Sequence, residues 1–142
     1  MKILNTVYQD IMNSYPFVPP EQGGIIGGKK GIVTNYHHDS GCQIFDRGSY
    51  IPDIEALNAK IAEWSDLQIE FLGLLHSHLP DQEMPSGSDN LYIKNILGAL
   101  PLNHSGLYFP IVIPKQKIIS YFAKKENDSF NLYKEQVEIL DN

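Results

Sequence analysis

The chain has 142 residues, of which 42% are hydrophobic, and 17 acidic against 11 basic side chains give it a net charge of −6. This length suffices for one domain with a hydrophobic core, predicted over residues 1–142. The acidic balance argues against nucleic acid or an anionic membrane surface as the main partner. Because Cys42 is the single cysteine, no disulfide framework is expected; a cytoplasmic location and a core role for Cys42, rather than a nucleophilic one, are predicted.

The hydrophobic pattern predicts three helices. The first runs from the amino terminus to about Tyr15; its apolar stripe is unlike a signal peptide, and no apolar run is long enough to span a bilayer. That stripe consists of Ile3, Leu4, Val7, Tyr8, Ile11 and Met12. The second helix is predicted to follow an Asp53 cap and to end near Ser65. The third is predicted from Ser86 to about Leu100.

Apolar runs between these helices predict a mixed, largely antiparallel sheet. The predicted strands cover residues 24–27, 32–37, 43–50, 69–75, 107–113, 118–124 and 130–139. The last two are expected to form a closing hairpin, and Pro110 marks its strand as an edge or a bulge. Run 69–75 is nearly all apolar, which is typical of a central strand buried on both faces. The chain is therefore predicted to be a single α/β (α+β) domain with helices flanking the sheet.

His76-Ser77-His78 directly follows this central strand. Side chains two residues apart on a strand share a face, so both imidazoles can reach one ion, with Leu72 and Leu74 on the same side. Asp89 lies at the beginning of the third helix, on its apolar stripe, and can supply a third ligand. Three nitrogen and oxygen ligands with one open position are typical of a catalytic rather than a structural zinc site.

Each half of this pattern also has an ordinary explanation. Ser86-Gly87-Ser88-Asp89 before an apolar run is a helix-capping pattern that needs no metal, and His-x-His alone is common. A second pair, His37-His38 before Asp39, is predicted to be a solvated turn because no third ligand accompanies it. The metal interpretation is favoured for His76 and His78 because the two halves adjoin and converge on one strand end.

The arrangement His76-x-His78, seven residues, Ser86-x-x-Asp89 resembles the signature of the JAMM metallopeptidases, also called the MPN or JAB domain. The upstream run from Glu21 to Gly28 is similar to the family's first-strand pattern of a glutamate, glycines and an apolar pair. The resemblance covers most of the chain. It implies the family's fold, with cytidine-deaminase-like layering, and the compact length is similar to that of bacterial and archaeal members.

The resemblance implies a catalytic site with one Zn²⁺ per chain and a bound water. The implied metal ligands are His76, His78 and Asp89. Glu21 would be the general base, a role that the sequence alone does not distinguish from that of a surface glutamate before a turn. Ser86 would donate a hydrogen bond to the oxyanion formed during the reaction.

The implied reaction is hydrolysis of a peptide or isopeptide bond at the carboxyl-terminal tail of a ubiquitin-like (β-grasp) or sulfur-carrier-like protein. Such a tail could be bound as an added strand at a sheet edge, and the strand that contains Pro110 is a candidate edge. Leu79 separates His78 from Pro80, whereas family members often have proline directly after the second histidine, which bears on substrate preference. A homodimer formed through the helices is compatible with the resemblance.

Two other functions compete with this one. A non-catalytic MPN-type scaffold would not need the implied residues, which are all present, namely Glu21, His76, His78, Ser86 and Asp89. A metal-dependent phosphoesterase usually gathers more ligands around two or three metals, and this chain has five histidines in total. The zinc-dependent peptidase is therefore the leading hypothesis.

Overall fold

The computed structural model describes residues 1–16, 21–42, 50–101 and 104–142. In these residues nine strands form one sheet. The helices are α1 (Asn5–Ser14), α2 (Ile54–Asp66) and α3 (Gly87–Ala99). The strands are β1 (Lys2–Leu4), β2 (Gly23–Lys29), β3 (Ile32–Asp39), β4 (Glu70–Ser77), β5 (Gly106–Tyr108), β6 (Ile111–Ile113), β7 (Lys117–Glu126), β8 (Ser129–Glu135) and β9 (Glu138–Leu140). None of these helices is both long enough and apolar enough to cross a membrane.

The two faces of the sheet are covered by different helices. Ile26 and Leu75 pack with α1, whereas their chain neighbours Ile25 and Leu74 pack with α2 and α3. This alternation follows from the twofold period of a strand. The predicted α+β class, a mixed and mostly antiparallel sheet flanked by helices, is confirmed.

Strand β4 lies in the middle of the sheet, between β2 on one side and β5 and β6 on the other. At its end, the backbone N–H of Ser77 donates to Gln22 O at 2.8 Å, and that of His78 donates to Val112 O at 3.0 Å. The end of the strand is thus held from both sides. Side chains carried there have a rigid backbone beneath them.

The predicted start of the first helix is wrong. Lys2, Ile3 and Leu4 form β1, which pairs in parallel with β3 and β9, and the helix begins at Asn5. Ile3 is fully buried. Because the pairing partners lie about 30 and about 136 residues away, local periodicity favours a helix where tertiary packing produces a strand.

The strand predicted around Pro110 is not an edge. It is divided into β5 and β6, and both pair with β4 on one side and β7 on the other. Proline has no N–H to donate, so the ladder is interrupted at Pro110, while its carbonyl still accepts from the N–H of His76 at 3.3 Å. These strands therefore offer no free edge to a substrate tail.

Two further predictions differ in detail. The strand predicted over residues 130–139 is divided into two strands, since β8 pairs with β7 and β9 pairs with β1. A register shift against β2 falls at Leu72, so Leu72 packs on the α1 face rather than beside Leu74. The predicted strand 43–50 lies, apart from Tyr50, outside the described residues.

Candidate metal centre

The side chains of His76, His78 and Asp89 converge above the end of β4. The two imidazole Nε2 atoms lie 2.7 Å apart. Asp89 Oδ1 lies 3.2 Å from Nε2 of His76, and its Oδ2 lies 3.2 Å from Nε2 of His78. Within the described part of the chain, this is the one group of three or more histidine, cysteine or acidic side chains close enough to share a metal ion.

The spacing of these donor atoms fits a zinc ion. Ligands at about 2.0–2.1 Å in a tetrahedral arrangement lie about 3.3 Å from one another, close to the 2.7–3.2 Å found here. Two imidazoles and one carboxylate are also a ligand set that zinc accepts with its fourth position open. The residues present therefore fit the metal.

His78 is oriented by its other ring nitrogen. Nδ1 of His78 lies 2.8 Å from the carbonyl oxygen of Gln82, and a carbonyl can only accept, so Nδ1 carries the proton. Nε2 then presents its lone pair toward the cluster. Such a bond fixes the tautomer of metal-binding histidines, and the imidazole itself is only 5% exposed.

Asp89 is positioned by the beginning of α3. Ser86 is the N-cap residue, and its Oγ accepts from the N–H of Asp89 at 3.2 Å. In return, Asp89 Oδ2 accepts from the N–H of Ser86 at 2.8 Å. The ordinary interpretation of this motif, a capping box, is thus present in the structure. It coexists with the cluster because a carboxylate has enough lone pairs for both.

Glu21 lies beside the cluster, with Oε2 at 3.7 Å from Nε2 of His78 and a side chain that is 22% exposed. It reaches this place because Gly23 on β2 is in register with His76 on β4. The residue between, Gln22, makes two bonds to Ser77: Gln22 N donates to Ser77 Oγ at 3.0 Å, and Gln22 O accepts from Ser77 N.

Ser77 has a positioning role that sequence reasoning missed. Its side chain points away from the face of His76 and His78, and there it anchors the segment that carries Glu21. In the sequence, only its place between two metal-binding candidates marks it. The register between β2 and β4 is needed to identify its partner.

Removing this anchor is expected to weaken the site without removing a ligand. Ser77→Ala leaves the N–H of Gln22 without its partner, which costs about 1 kcal/mol of unfolding free energy. We expect a lower free energy of unfolding with metal affinity retained, measured by denaturant unfolding and metal titration of both chains. Ser65→Ala, an exposed serine on α2, is the control; equal effects of the two substitutions would contradict the assignment.

The surroundings of Asp89 and Glu21 shift the pKa values of the two carboxylates in opposite directions. Burial opposes ionisation of Asp89, but the neighbouring imidazoles of His76 and His78 outweigh burial and hold its pKa far below the usual range. Burial raises the pKa of Glu21 above its usual value, against the opposing attraction of the two histidines. Pairs of acids whose pKa values are pushed apart are typical of sites where one binds a charge and the other transfers protons.

A cleft of about 270 Å³ opens over the cluster. Its walls include Tyr50 and Tyr92, and its rim carries the exposed Ser86. The hydroxyl oxygen of Ser86 accepts the helix-capping bond from Asp89 and lies 3.1 Å from Ser88 Oγ. Because that bond uses a lone pair, the hydroxyl proton can still be donated to a group in the cleft.

The other residues considered in the sequence lie elsewhere. His37 and His38 belong to β3 rather than to a solvated turn, and His38 Nε2 lies 2.9 Å from Oε1 of Gln22. Cys42 is half-buried, with Sγ 3.8 Å from the carbonyl oxygen of Pro52. None of these joins the metal cluster.

Comparison with known proteins gives structural relatives only. No protein-family model matches the chain, and no curated protein matches it. The fold is similar to a solution structure from Desulfitobacterium hafniense (TM-score 0.69, 16% identity, covering 100% of this chain and 94% of the other). It is similar to a JAB1/MPN domain protein from Archaeoglobus fulgidus (TM-score 0.56, 15% identity, 99% of each chain). A protein from Salinibacter ruber gives a TM-score of 0.59 at 17% identity, over 99% of this chain and 92% of that one. The chain thus has a fold like that of the JAB1/MPN domain.

Proposed function

We propose that the protein is a zinc-dependent hydrolase of the JAMM type, which cleaves a peptide or isopeptide bond. The observation that carries the proposal is the convergence of two imidazole nitrogens and a carboxylate, with Glu21 Oε2 at 3.7 Å from His78. The fold shared with a JAB1/MPN domain protein agrees with it. A scaffold that binds no metal would have no need for this arrangement.

Each residue has a defined part in the proposed reaction. When bound by His76, His78 and Asp89, zinc would lower the pKa of a water in its open position to about 7 and polarise the substrate carbonyl. Glu21 accepts the proton released during attack and passes it to the leaving amine, as a general base and then a general acid. Ser86 donates a hydrogen bond from its hydroxyl to the oxyanion that forms at the carbonyl carbon.

The proposed substrate is the carboxyl-terminal tail of a ubiquitin-like or sulfur-carrier-like protein. The cleft of about 270 Å³ has tyrosines in its walls, and a tail ending in glycine suits it because glycine places the least bulk next to the scissile bond. Because β5 and β6 are internal, the tail would have to be bound elsewhere than along those strands.

Metal content and cleavage test this proposal together. We expect one zinc per native chain, and hydrolysis of a β-grasp protein whose terminal glycine is joined to a lysine side chain or to a linear peptide. The matched control is the same substrate with valine in place of the terminal glycine, which should be cleaved far more slowly. A native chain that binds no zinc after supplementation would contradict the proposal, as would cleavage that persists at full rate after chelation.

A further inference from the structure

A buried carboxylate holds a tyrosine beside His76, and neither residue belongs to the metal cluster. Asp39, at the end of β3, is buried. Its Oδ2 accepts from the hydroxyl of Tyr50 at 2.6 Å and from the N–H of Asp53 at 3.0 Å, and its Oδ1 accepts from the N–H of Gly41 at 3.0 Å. The carboxylate therefore fixes Tyr50 and the entry to α2 against the sheet.

The register of the sheet explains where the tyrosine ring lies. Asp39, Gly23 and His76 are neighbours across β3, β2 and β4, and residues in register share one face of a sheet. Glycine leaves the middle of this row without a side chain. The ring of Tyr50 fills that space, since a Cβ at Gly23 would overlap it.

The ring of Tyr50 lies alongside the imidazole of His76. Their planes differ by 13°, and their centroids are 6.4 Å apart. His78 is oriented by the carbonyl of Gln82, whereas His76 has this ring at its side and Asp89 at its Nε2. Tyr50 is also a wall of the cleft above the cluster.

We propose that Tyr50 is a positioning residue for metal binding: anchored by Asp39, its ring occupies the space above Gly23 and keeps the His76 imidazole in its metal-binding orientation. This inference rests on the proposed metal site. It assigns to Tyr50 no contact with reacting atoms. It also explains why glycine stands in register between a buried acid and a metal-binding histidine.

Titration of the native and variant chains with zinc and with cobalt(II) tests the inference. Tyr50→Ala is expected to weaken metal affinity about 10–100-fold, the range for loss of an outer-shell partner, and to alter the cobalt visible spectrum. Tyr50→Phe keeps the ring and loses the hydrogen bond to Asp39, so metal affinity should fall by less than about tenfold. Tyr50→Leu, which keeps apolar bulk without a planar ring, replaces the alanine variant if that chain does not fold.

Tyr108→Ala is the matched control. Tyr108 is a half-buried tyrosine on β5, with its ring against Phe122 at 5.0 Å, and its loss should lower thermal stability while leaving metal affinity and the cobalt spectrum unchanged. If the Tyr50→Ala and Tyr50→Leu chains bound zinc with native affinity, this inference would be overturned and the proposed function would stand. Equal losses of affinity in the Tyr50→Ala and Tyr108→Ala chains would also overturn it, as general destabilisation. A native chain that binds neither metal would overturn the proposed function as well.

Discussion

Replacing Asp89 with asparagine is expected to reduce zinc affinity by at least about 100-fold, beyond what loss of an outer-shell partner costs. The amide keeps an oxygen that can accept from the N–H of Ser86, so the capping bond survives while the anionic ligand is lost. A native chain at a zinc concentration about 100 times its Kd gains about 2.7 kcal/mol of unfolding free energy. Asp89→Asn should show almost none of this gain, as measured by thermal unfolding with and without zinc and by competition with a chelator.

Asp53→Asn is the matched control for this substitution. Asp53 also caps a helix, because its side chain accepts from the N–H of Ala56 at 3.2 Å, and it is not a member of the metal cluster. The control chain should bind zinc as the native chain does. If Asp89→Asn retained native affinity, or if both substitutions reduced it equally, Asp89 would not be a metal ligand.

Replacing Glu21 with glutamine is expected to lower kcat about 100–10,000-fold, the usual contribution of a positioned general acid–base group. The substitution keeps the size of the side chain and removes its basic oxygen. Zinc affinity and KM should change little, because Glu21 is not among the three convergent ligand groups. Metal titration and steady-state kinetics on the same preparations separate these effects.

Glu63→Gln serves as the control for charge removal. Glu63 is exposed on α2 and pairs with Lys60 at 3.2 Å, so its loss should leave kcat near the native value. A Glu21→Gln chain that holds zinc and turns over at the native rate would remove Glu21 from the mechanism. A chain that loses zinc would instead make Glu21 part of the metal site.

The parts of the site that could be predicted from the sequence are those set by local rules. A nearly continuous apolar run predicted the central strand, and a capping pattern with an apolar stripe predicted α3. The spacing between His78 and Asp89 is short, so both could be placed at the end of that strand before any pairing was known. Only the resemblance connected them with Glu21, 55 residues before His76.

The parts that could not be predicted depend on which strands become neighbours. The parallel pairing that makes β1 a strand joins it to both β3 and β9, and no local pattern encodes it. Gly23 lies one residue before the predicted strand 24–27, and its place in the row that joins Asp39 and His76 could not be predicted. The contacts of Ser77 and Tyr50 follow from that register, so no local pattern in the sequence indicates either residue.

One oxygen of Asp89 takes part in both the capping box of α3 and the candidate metal cluster. Its Oδ2 accepts from the N–H of Ser86 and also lies 3.2 Å from His78 Nε2. Binding of a metal at the cluster and fraying of the first turn of α3 would therefore oppose each other, because whatever favours one disfavours the other by the same free energy. Amide protons in that turn would exchange more slowly in the loaded protein. A partner that stabilised the first turn of α3 would thus raise metal occupancy, and one that destabilised it would lower metal occupancy, without contacting a ligand.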